Sequence, residues 1–197
     1  MPVPNNKIFL ASAWATGGAI RFTPNTPGDF VPFGFTSPGS AWLGSTFDMN
    51  GDGRPDLIFG APADDDKATD AGRIFIELAP LVGGSSMSMG DSLTQIIVDG
   101  VNAGDQAGAS VGGIADLNGD GRGEVLIGAP GMDNGALTDA GAAFVLFGKA
   151  TTGGVDLNDL FTGAGGGYAI KGEAAGDAAG TNVLSVADLN GDGKMDV

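Results

Sequence analysis

An internal repeat constrains this chain more than any other feature of its sequence. Three segments align without gaps, and they cover residues 48–62, 116–130 and 188–197. The first copy reads Asp-Met-Asn-Gly-Asp-Gly-Arg-Pro-Asp, and the other two keep the same order of acidic, amide and glycine residues. Self-similarity at a near-constant spacing is typical of repeat architectures, in which each copy is one structural unit.

The similarity extends beyond these loops, since residues 104–108 recur as 176–180 and residues 70–76 as 139–145. Short apolar runs bounded by Gly, Asp, Asn and Pro are typical of strands, and each unit offers four of them. No segment shows a convincing helical period. Repeating four-stranded units predict an all-β fold, a β-propeller of four-stranded antiparallel blades. In the second unit the predicted strands cover 111–115, 125–128, 142–147 and a stretch that ends near residue 170.

The repeat divides the chain into about three blade-equivalents, which are too few to close a ring because propellers have about four to eight blades. Either further blades follow residue 197, or copies associate head to tail so that the C-terminal strand of one completes the partial blade of the next. The predicted units are a partial blade with strands two to four at 7–35, a blade with a loop at 48–56 in residues 36–103, a blade with a loop at 116–124 in residues 104–175, and the first strand and loop of a further blade at 176–197.

Composition excludes several classes of function. The chain has no His and no Cys, so it holds no imidazole-ligated or thiolate-ligated zinc and no Ser-His-Asp or Cys-His nucleophile. Its net charge of −15 repels phosphate backbones, which argues against nucleic acid as a partner. No apolar run is long enough for a membrane span. Of its 24 acidic residues only three are Glu, and Asp is typical of turns and of sites for hard cations.

Each loop carries oxygen-bearing side chains at positions 1, 3, 5 and 9. Calcium takes about six to eight oxygen ligands, and a tight loop directs alternate side chains inward. Glycine at positions 4 and 6 permits the backbone angles that curl the chain round an ion. Position 7 is Arg or Lys, so its backbone carbonyl is the expected ligand. The sequence predicts up to three Ca²⁺ sites with the ligands Asp48, Asn50, Asp52, Arg54 and Asp56; Asp116, Asn118, Asp120, Arg122 and Glu124; and Asp188, Asn190, Asp192, Lys194 and Asp196.

Two other interpretations of these loops remain open at this point. They can be Asx-Gly turns that hold no ion. They can also be loops of the EF-hand type, but those need an acid at position 12, where this chain has Phe59 and Ile127. Glu124 replaces Asp at position 9 of the second loop, which makes the second site the least secure of the three.

The loops, followed by Gly60-Ala61-Pro62 and Gly128-Ala129-Pro130, resemble the FG-GAP repeats of integrin α-subunit propellers. The Phe-Gly element of that family is degenerate here, with Ala107-Gly108 in its place. The resemblance implies a seven-bladed propeller, calcium in the loops that join the first two strands of certain blades, adhesion or ligand binding on the opposite face, and an extracellular or cell-surface location.

The favoured function is therefore a non-catalytic, calcium-binding module that recognises a protein or glycan ligand. One alternative is the accessory, substrate-binding propeller of a secreted hydrolase or polysaccharide lyase, with catalysis on a domain outside this chain. Another is a structural component of a surface array. The acidic loop around Asp64, Asp65 and Asp66 is expected on the ligand face, where it forms either a solvated loop or a second site for a cation or a basic partner.

Overall fold

The computed structural model describes residues 8–10, 20–23, 41–42, 47–79, 86–88, 95–163, 166–186 and 188–197. These residues form strands and one short helix, so the predicted all-β propeller fold class is confirmed. The strands are β1 Ile8–Leu10, β2 Ile20–Thr23, β3 Ala41–Trp42, β4 Leu57–Ala61, β5 Arg73–Glu77, β6 Ser86–Ser88, β7 Gln95–Asp99, β8 Ser110–Ile114, β9 Glu124–Ala129, β10 Ala142–Leu146, β11 Gly153–Asp156 and β12 Gly167–Lys171, and the helix α1 covers Leu157–Thr162.

Two neighbouring antiparallel meanders make up most of the structure. One has the order β3-β4-β5-β7, and the other has the order β8-β9-β10-β12. Their registers are equivalent, because Phe59 pairs with Phe75 in the first sheet as Ile127 pairs with Phe144 in the second. Each meander is one blade, and the predicted strands of the second unit coincide with β8, β9, β10 and β12 to within one or two residues.

The core lies between the two blades. Strands β8 and β9 are buried along their whole length, as expected for the inner strands of stacked sheets. Ile58 and Ile74 of the first blade and Val125 and Ile127 of the second belong to one apolar cluster. Burying these side chains between the sheets removes apolar surface from water, and that is what holds one blade against the next.

Glycine allows the blades to approach one another at the end of each second strand. A Cβ atom on Gly60 would collide with the carbonyl of Gly108, and one on Gly128 would collide with the carbonyl of Gly180. The hydroxyl of Ser110 donates to the same Gly180 oxygen at 2.8 Å. The glycine of each Gly-Ala-Pro segment is therefore required by packing between successive units.

The structure departs from four-stranded antiparallel blades in two places. Strand β11 adds to the outer edge of the first blade by pairing in parallel with β7, from Gly153 opposite Ile96 to Asp156 opposite Asp99. Strand β6 pairs in parallel with β2 in the same way. Because β11 belongs in sequence to the second unit and pairs with the first, it fastens adjacent units together.

The helix α1 was not predicted. Asp156 caps its first turn by accepting from Asn158 N at 2.8 Å, and Gly163 ends it in the left-handed conformation with φ of 83°. Leu157 and Leu160 are buried. A helix of six residues is too short to show a repeating apolar period, and packing rather than propensity maintains it. The expected fourth strand of the partial blade falls in residues 24–35, outside the described residues.

Candidate metal centre

The three loops predicted to bind cations have one common hydrogen-bond pattern. The carboxylate at position 1 accepts three backbone N–H groups, the amide oxygen at position 3 accepts the N–H of position 5, and the carboxylate at position 5 accepts the N–H of position 7. In the second loop Asp116 accepts from Gly119, Asp120 and Gly121 at 2.6, 3.0 and 2.8 Å. These bonds shape the loop before any ion arrives.

The glycines at positions 4 and 6 have positive φ in all three loops. In the second loop the values are 87° for Gly119 and 85° for Gly121. Most residues avoid this region because their Cβ clashes with the backbone. Alternation of glycine with Asp or Asn therefore turns the chain into a tight coil whose position 1, 3 and 5 side chains share one side.

The acid at position 9 closes each loop. It accepts the N–H of position 2, and the distances are 2.8 Å from Met49 to Asp56, 2.5 Å from Leu117 to Glu124 and 2.7 Å from Leu189 to Asp196. In the first blade the second oxygen of Asp56 accepts from Ala79 N at 2.7 Å. The position 9 acid therefore ties the loop to the strands that flank it.

The second loop brings its carboxylates together. Asp116, Asp120 and Glu124 each place an oxygen within 4.8 Å of the others, and they are the one group of three acidic residues that does so among the described parts of the chain. Glu124 is fully buried. Its Oε1 accepts no hydrogen bond of good geometry, although the backbone N–H of Gly148 acts on the carboxyl group and opposes the rise in its pKa that burial causes. A buried carboxylate that is incompletely hydrogen-bonded carries a desolvation cost that a cation would relieve. The residues present therefore fit a hard, oxygen-seeking cation.

Burial and backbone bonds shift the pKa values of these acids in opposite directions. Burial raises the pKa of Asp56 to about 6, although the N–H groups of Ala79 and Met49 act to lower it. Burial raises the pKa of Glu124 as well. The N–H of Gly193, followed by those of Gly191 and Asp192, outweighs slight burial and lowers the pKa of Asp188. A cation bound at position 9 would favour the ionised form of that acid.

The side chains of Lys194 and Arg122, at position 7, reach neighbouring loops as well as their own. Lys194 of the third loop donates from Nζ to the carbonyl of Leu117 in the second loop at 3.0 Å. Arg122 places Nη1 3.7 Å from Asp120. Sequence reasoning assigned these residues only a backbone carbonyl ligand and missed the contact that a position 7 side chain makes with a neighbouring loop. The one sign of this contact in the sequence is that position 7 is basic in all three copies.

Two basic side chains of this chain, Arg73 and Lys67, pair with acids in and beside the loop that follows β4. Arg73 donates from Nε to Asp99 at 2.7 Å, and its guanidinium also contacts Asp66 and lies 3.9 Å from Asp64. Lys67 lies 3.5 Å from the second oxygen of Asp99. Because Arg73 and Lys67 supply positive charge to these acids, the loop is better described as a partly buried ion-pair network than as a second metal site.

Comparison with known families places the first two of these loops inside a recognised repeat. The FG-GAP repeat matches residues 40–76 and 107–146. Each match contains one complete cation loop and the two strands that follow it, β4 and β5 (except for its last residue) in the first match and β9 and β10 in the second. The third loop, at 188–197, lies outside the matched residues.

Relatives of this chain include two kinds of protein. Integrin alpha-5 of Xenopus laevis is 32% identical over 117 residues, which cover 57% of this chain and 10% of that protein. Integrin alpha-PS2 of Drosophila melanogaster is 29% identical over 137 residues, with 66% and 9% covered. Phosphatidylinositol-glycan-specific phospholipase D of Bos taurus is 29% identical over 126 residues, with 61% and 14% covered. The chain therefore spans 14% or less of each of these relatives.

Proposed function

We propose that this chain, which carries FG-GAP repeats of the integrin α-subunit type, forms calcium-binding blades of a non-catalytic propeller that recognises a ligand outside the cell. The observation that carries the proposal is the second loop, in which the carboxylates of Asp116, Asp120 and the fully buried Glu124 converge. The other two loops repeat its hydrogen bonds and its glycine conformations. Together they offer up to three sites.

Calcium is the cation that best matches the available donors. The side chains at positions 1, 3, 5 and 9 offer carboxylate and amide oxygens alone, and oxygen donors select hard cations over softer transition metals. Magnesium demands a near-ideal octahedron and retains its water, whereas calcium tolerates irregular sets of six to eight oxygens. A loop whose oxygens are already fixed by backbone bonds suits the more tolerant ion.

The opposite end of each blade is the proposed ligand face. The cation loops precede β4 and β9, whereas the connections at 62–72 and 130–141 follow these strands and so lie at their other end. The link between the blades, at 100–109, lies on the same side as those connections, since Gly104 N donates to Thr69 O at 2.9 Å. The integrin relatives support an adhesion or ligand-binding role and a cell-surface or extracellular location, and a protein or glycan is the ligand that we propose for this face. In the described residues no helix is long and apolar enough to cross a membrane.

The phospholipase D relative favours one alternative, an accessory propeller that accompanies a catalytic domain. In that case the chain would bind a substrate or a surface for a neighbouring enzyme. A binding assay on immobilised proteins, glycans and glycolipids, with cleavage followed separately, distinguishes the two. Capture of a protein or glycan supports the module proposed here, retention of one enzyme's substrate alone supports the accessory role, and turnover by this chain itself would contradict both.

Thermal unfolding tests cation binding. If an extracellular-type site has a Kd of about 0.1–1 mM, calcium at about 10 mM stabilises the folded state by about 1.4–2.7 kcal/mol per loop. We expect the melting temperature to rise by about 3–10 °C per occupied loop relative to chelator. Glu124→Gln should abolish the part of the calcium-induced rise in melting temperature that the second loop contributes, because the substitution removes one ligand charge at that site.

Glu173→Gln is the matched control. Glu173 is exposed and lies outside the three loops, so the same chemical change there should leave the calcium-induced shift intact. Equal shifts in both variants would contradict the assignment of Glu124. A melting temperature that calcium and chelator leave unchanged would contradict the proposed function as a whole.

A further inference from the structure

The first and second cation loops touch through a backbone hydrogen bond. The N–H of Gly123 donates to the carbonyl of Asp48 at 2.7 Å. Asp48 is position 1 of the first loop, and Gly123 lies between positions 7 and 9 of the second. The approach is close, because a Cβ on Gly123 would lie 2.9 Å from the carbonyl oxygen of Ile114 and 3.1 Å from the nitrogen of Asp48. A larger residue there would press on strand β8 and on the first loop.

The peptide groups on both sides of this bond have a second role. The N–H of Gly123 and the carbonyl of Arg122 belong to one planar peptide group, and that carbonyl is the proposed position 7 ligand. The carbonyl of Asp48 shares a peptide group with the N–H of Met49, which donates to Asp56 Oδ2 at 2.8 Å. Two consecutive peptide groups therefore connect a ligand of the second loop to the position 9 carboxylate of the first.

We propose that Gly123 is a positioning residue that couples the two loops, so that cation binding at either one favours binding at the other. The inference rests on the proposed function. A cation on the carbonyl of Arg122 fixes the plane of that peptide and polarises its N–H toward Asp48. Asp48 is then held in place for its own cation. The conformational entropy lost on ordering these peptide groups is therefore lost once, at the first binding event, and not again at the second. Such coupling is reciprocal by thermodynamic necessity.

The residue at position 8 differs among the three loops, and this difference supplies the test. It is Pro55 in the first loop, Gly123 in the second and Met195 in the third. Proline has no N–H, so the first loop cannot donate an equivalent bond to another blade. The first loop also shows that an Arg-Pro-acid sequence is compatible with this loop geometry. Gly123→Pro therefore removes the donor with a residue that the repeat already accepts.

Calcium titration by calorimetry measures the coupling in the full-length chain. Every variant also carries Asp192→Asn, which weakens calcium binding at the third loop. The binding event that disappears in Glu124→Gln is assigned to the second loop. The first loop is then weakened by Asp52→Asn, which keeps an oxygen to accept the N–H of Arg54. With Gly123 present, we expect Asp52→Asn to lower the calcium affinity of the second loop by about three- to tenfold, the factor that one typical hydrogen bond provides.

With Gly123→Pro, the same Asp52→Asn change should alter the second-loop affinity by less than about twofold. Gly123→Ala is the control for crowding, since it keeps the N–H and should retain part of the coupling. Hydrogen exchange at the Gly123 amide is a further readout, which calcium at either loop should slow, and it does not depend on whether Gly123→Pro folds.

The outcomes separate this inference from the proposed function. Suppose that both loops bind calcium saturably. If Asp52→Asn then leaves the calcium affinity of the second loop unchanged, or increases it, the coupling is overturned and calcium binding still holds. An effect that persists unchanged in folded Gly123→Pro overturns the role of Gly123. Absence of saturable calcium binding at every loop overturns the proposed function and the coupling with it.

Discussion

Asp56 and Glu124 occupy the same position of their loops, but their carboxylates are hydrogen-bonded to different extents. Both oxygens of Asp56 accept backbone N–H groups, from Met49 and Ala79. Glu124 accepts from Leu117 through Oε2, whereas its Oε1 accepts no hydrogen bond of good geometry and the N–H of Gly148 acts on the carboxyl group. The extra methylene of Glu lets its carboxylate reach the other acids of the loop. We infer that the loop with Glu at position 9 is the better prepared for a cation.

Asp56 gives the chelated protein a characteristic pH dependence. Its pKa is raised from 3.8 to about 6 in the folded state, so the folded state binds this proton more tightly than the unfolded state does. The resulting stabilisation is complete below about pH 4 and is lost as the pH rises through about 6. In chelator we expect the free energy of unfolding to fall by about 2–3 kcal/mol across that range from this residue.

Urea unfolding of Asp56→Asn at several pH values isolates the contribution of Asp56 to the pH dependence of the free energy of unfolding. The variant cannot titrate at this position, so its stability should decline less steeply than that of the wild type between about pH 4 and 6. In saturating calcium the wild-type trend should reverse, because a cation binds only the ionised ligands. Parallel curves for the two proteins in chelator would show that Asp56 does not titrate in this window.

At the scale of the strand, the second strand of each blade is where the repeat sequence is most constrained. Strand β9 is buried on both faces, and Gly128 within it faces the carbonyl of Gly180 and the hydroxyl of Ser110. Backbone atoms cannot rotate away from an added methyl group. The glycine of Gly-Ala-Pro thus reports how closely the next unit packs rather than any need for an unusual backbone angle.

We expect Gly128→Ala to destabilise the protein by about 2–3 kcal/mol, because the added Cβ separates β9 from the following segment. For a chain of this size, this corresponds to a fall in melting temperature of about 4–12 °C. Gly154→Ala is the matched control, since nothing lies within 4 Å of a Cβ there, and its effect should stay within about 0.5 kcal/mol. Equal melting temperatures for the two variants would contradict the packing described for β9.

Sequence reasoning found the elements whose signals are local. The loops follow from Asp, Asn and Gly side chains and backbones that bond within a few residues, and β9 and β10 follow from short apolar runs between turn residues. Strand β11 has the sequence Gly-Gly-Val-Asp, and its parallel pairing with β7 depends on a distant partner. The contact of Gly123 with Asp48 and the convergence on Glu124 depend on how blades stack and how far a side chain reaches.

At the scale of the whole molecule, the acidic charge and the repeat point to one arrangement. The chain carries a net charge of −15, and three divalent cations would neutralise six of these charges. The loops follow one another at the same end of successive blades, with Gly123 contacting the first loop and Lys194 contacting the second. Without cations, like charges at one end of the blades repel one another, which lowers the stability of the folded state.

A crystal structure of the chain grown with millimolar calcium tests this account most directly. We expect calcium in the second loop, with Asp116, Asn118, Asp120 and Glu124 and the carbonyl of Arg122 at about 2.3–2.6 Å from the ion. The first and third loops should hold ions in the same way. Well-ordered loops that contain only water at saturating calcium would contradict the central claim.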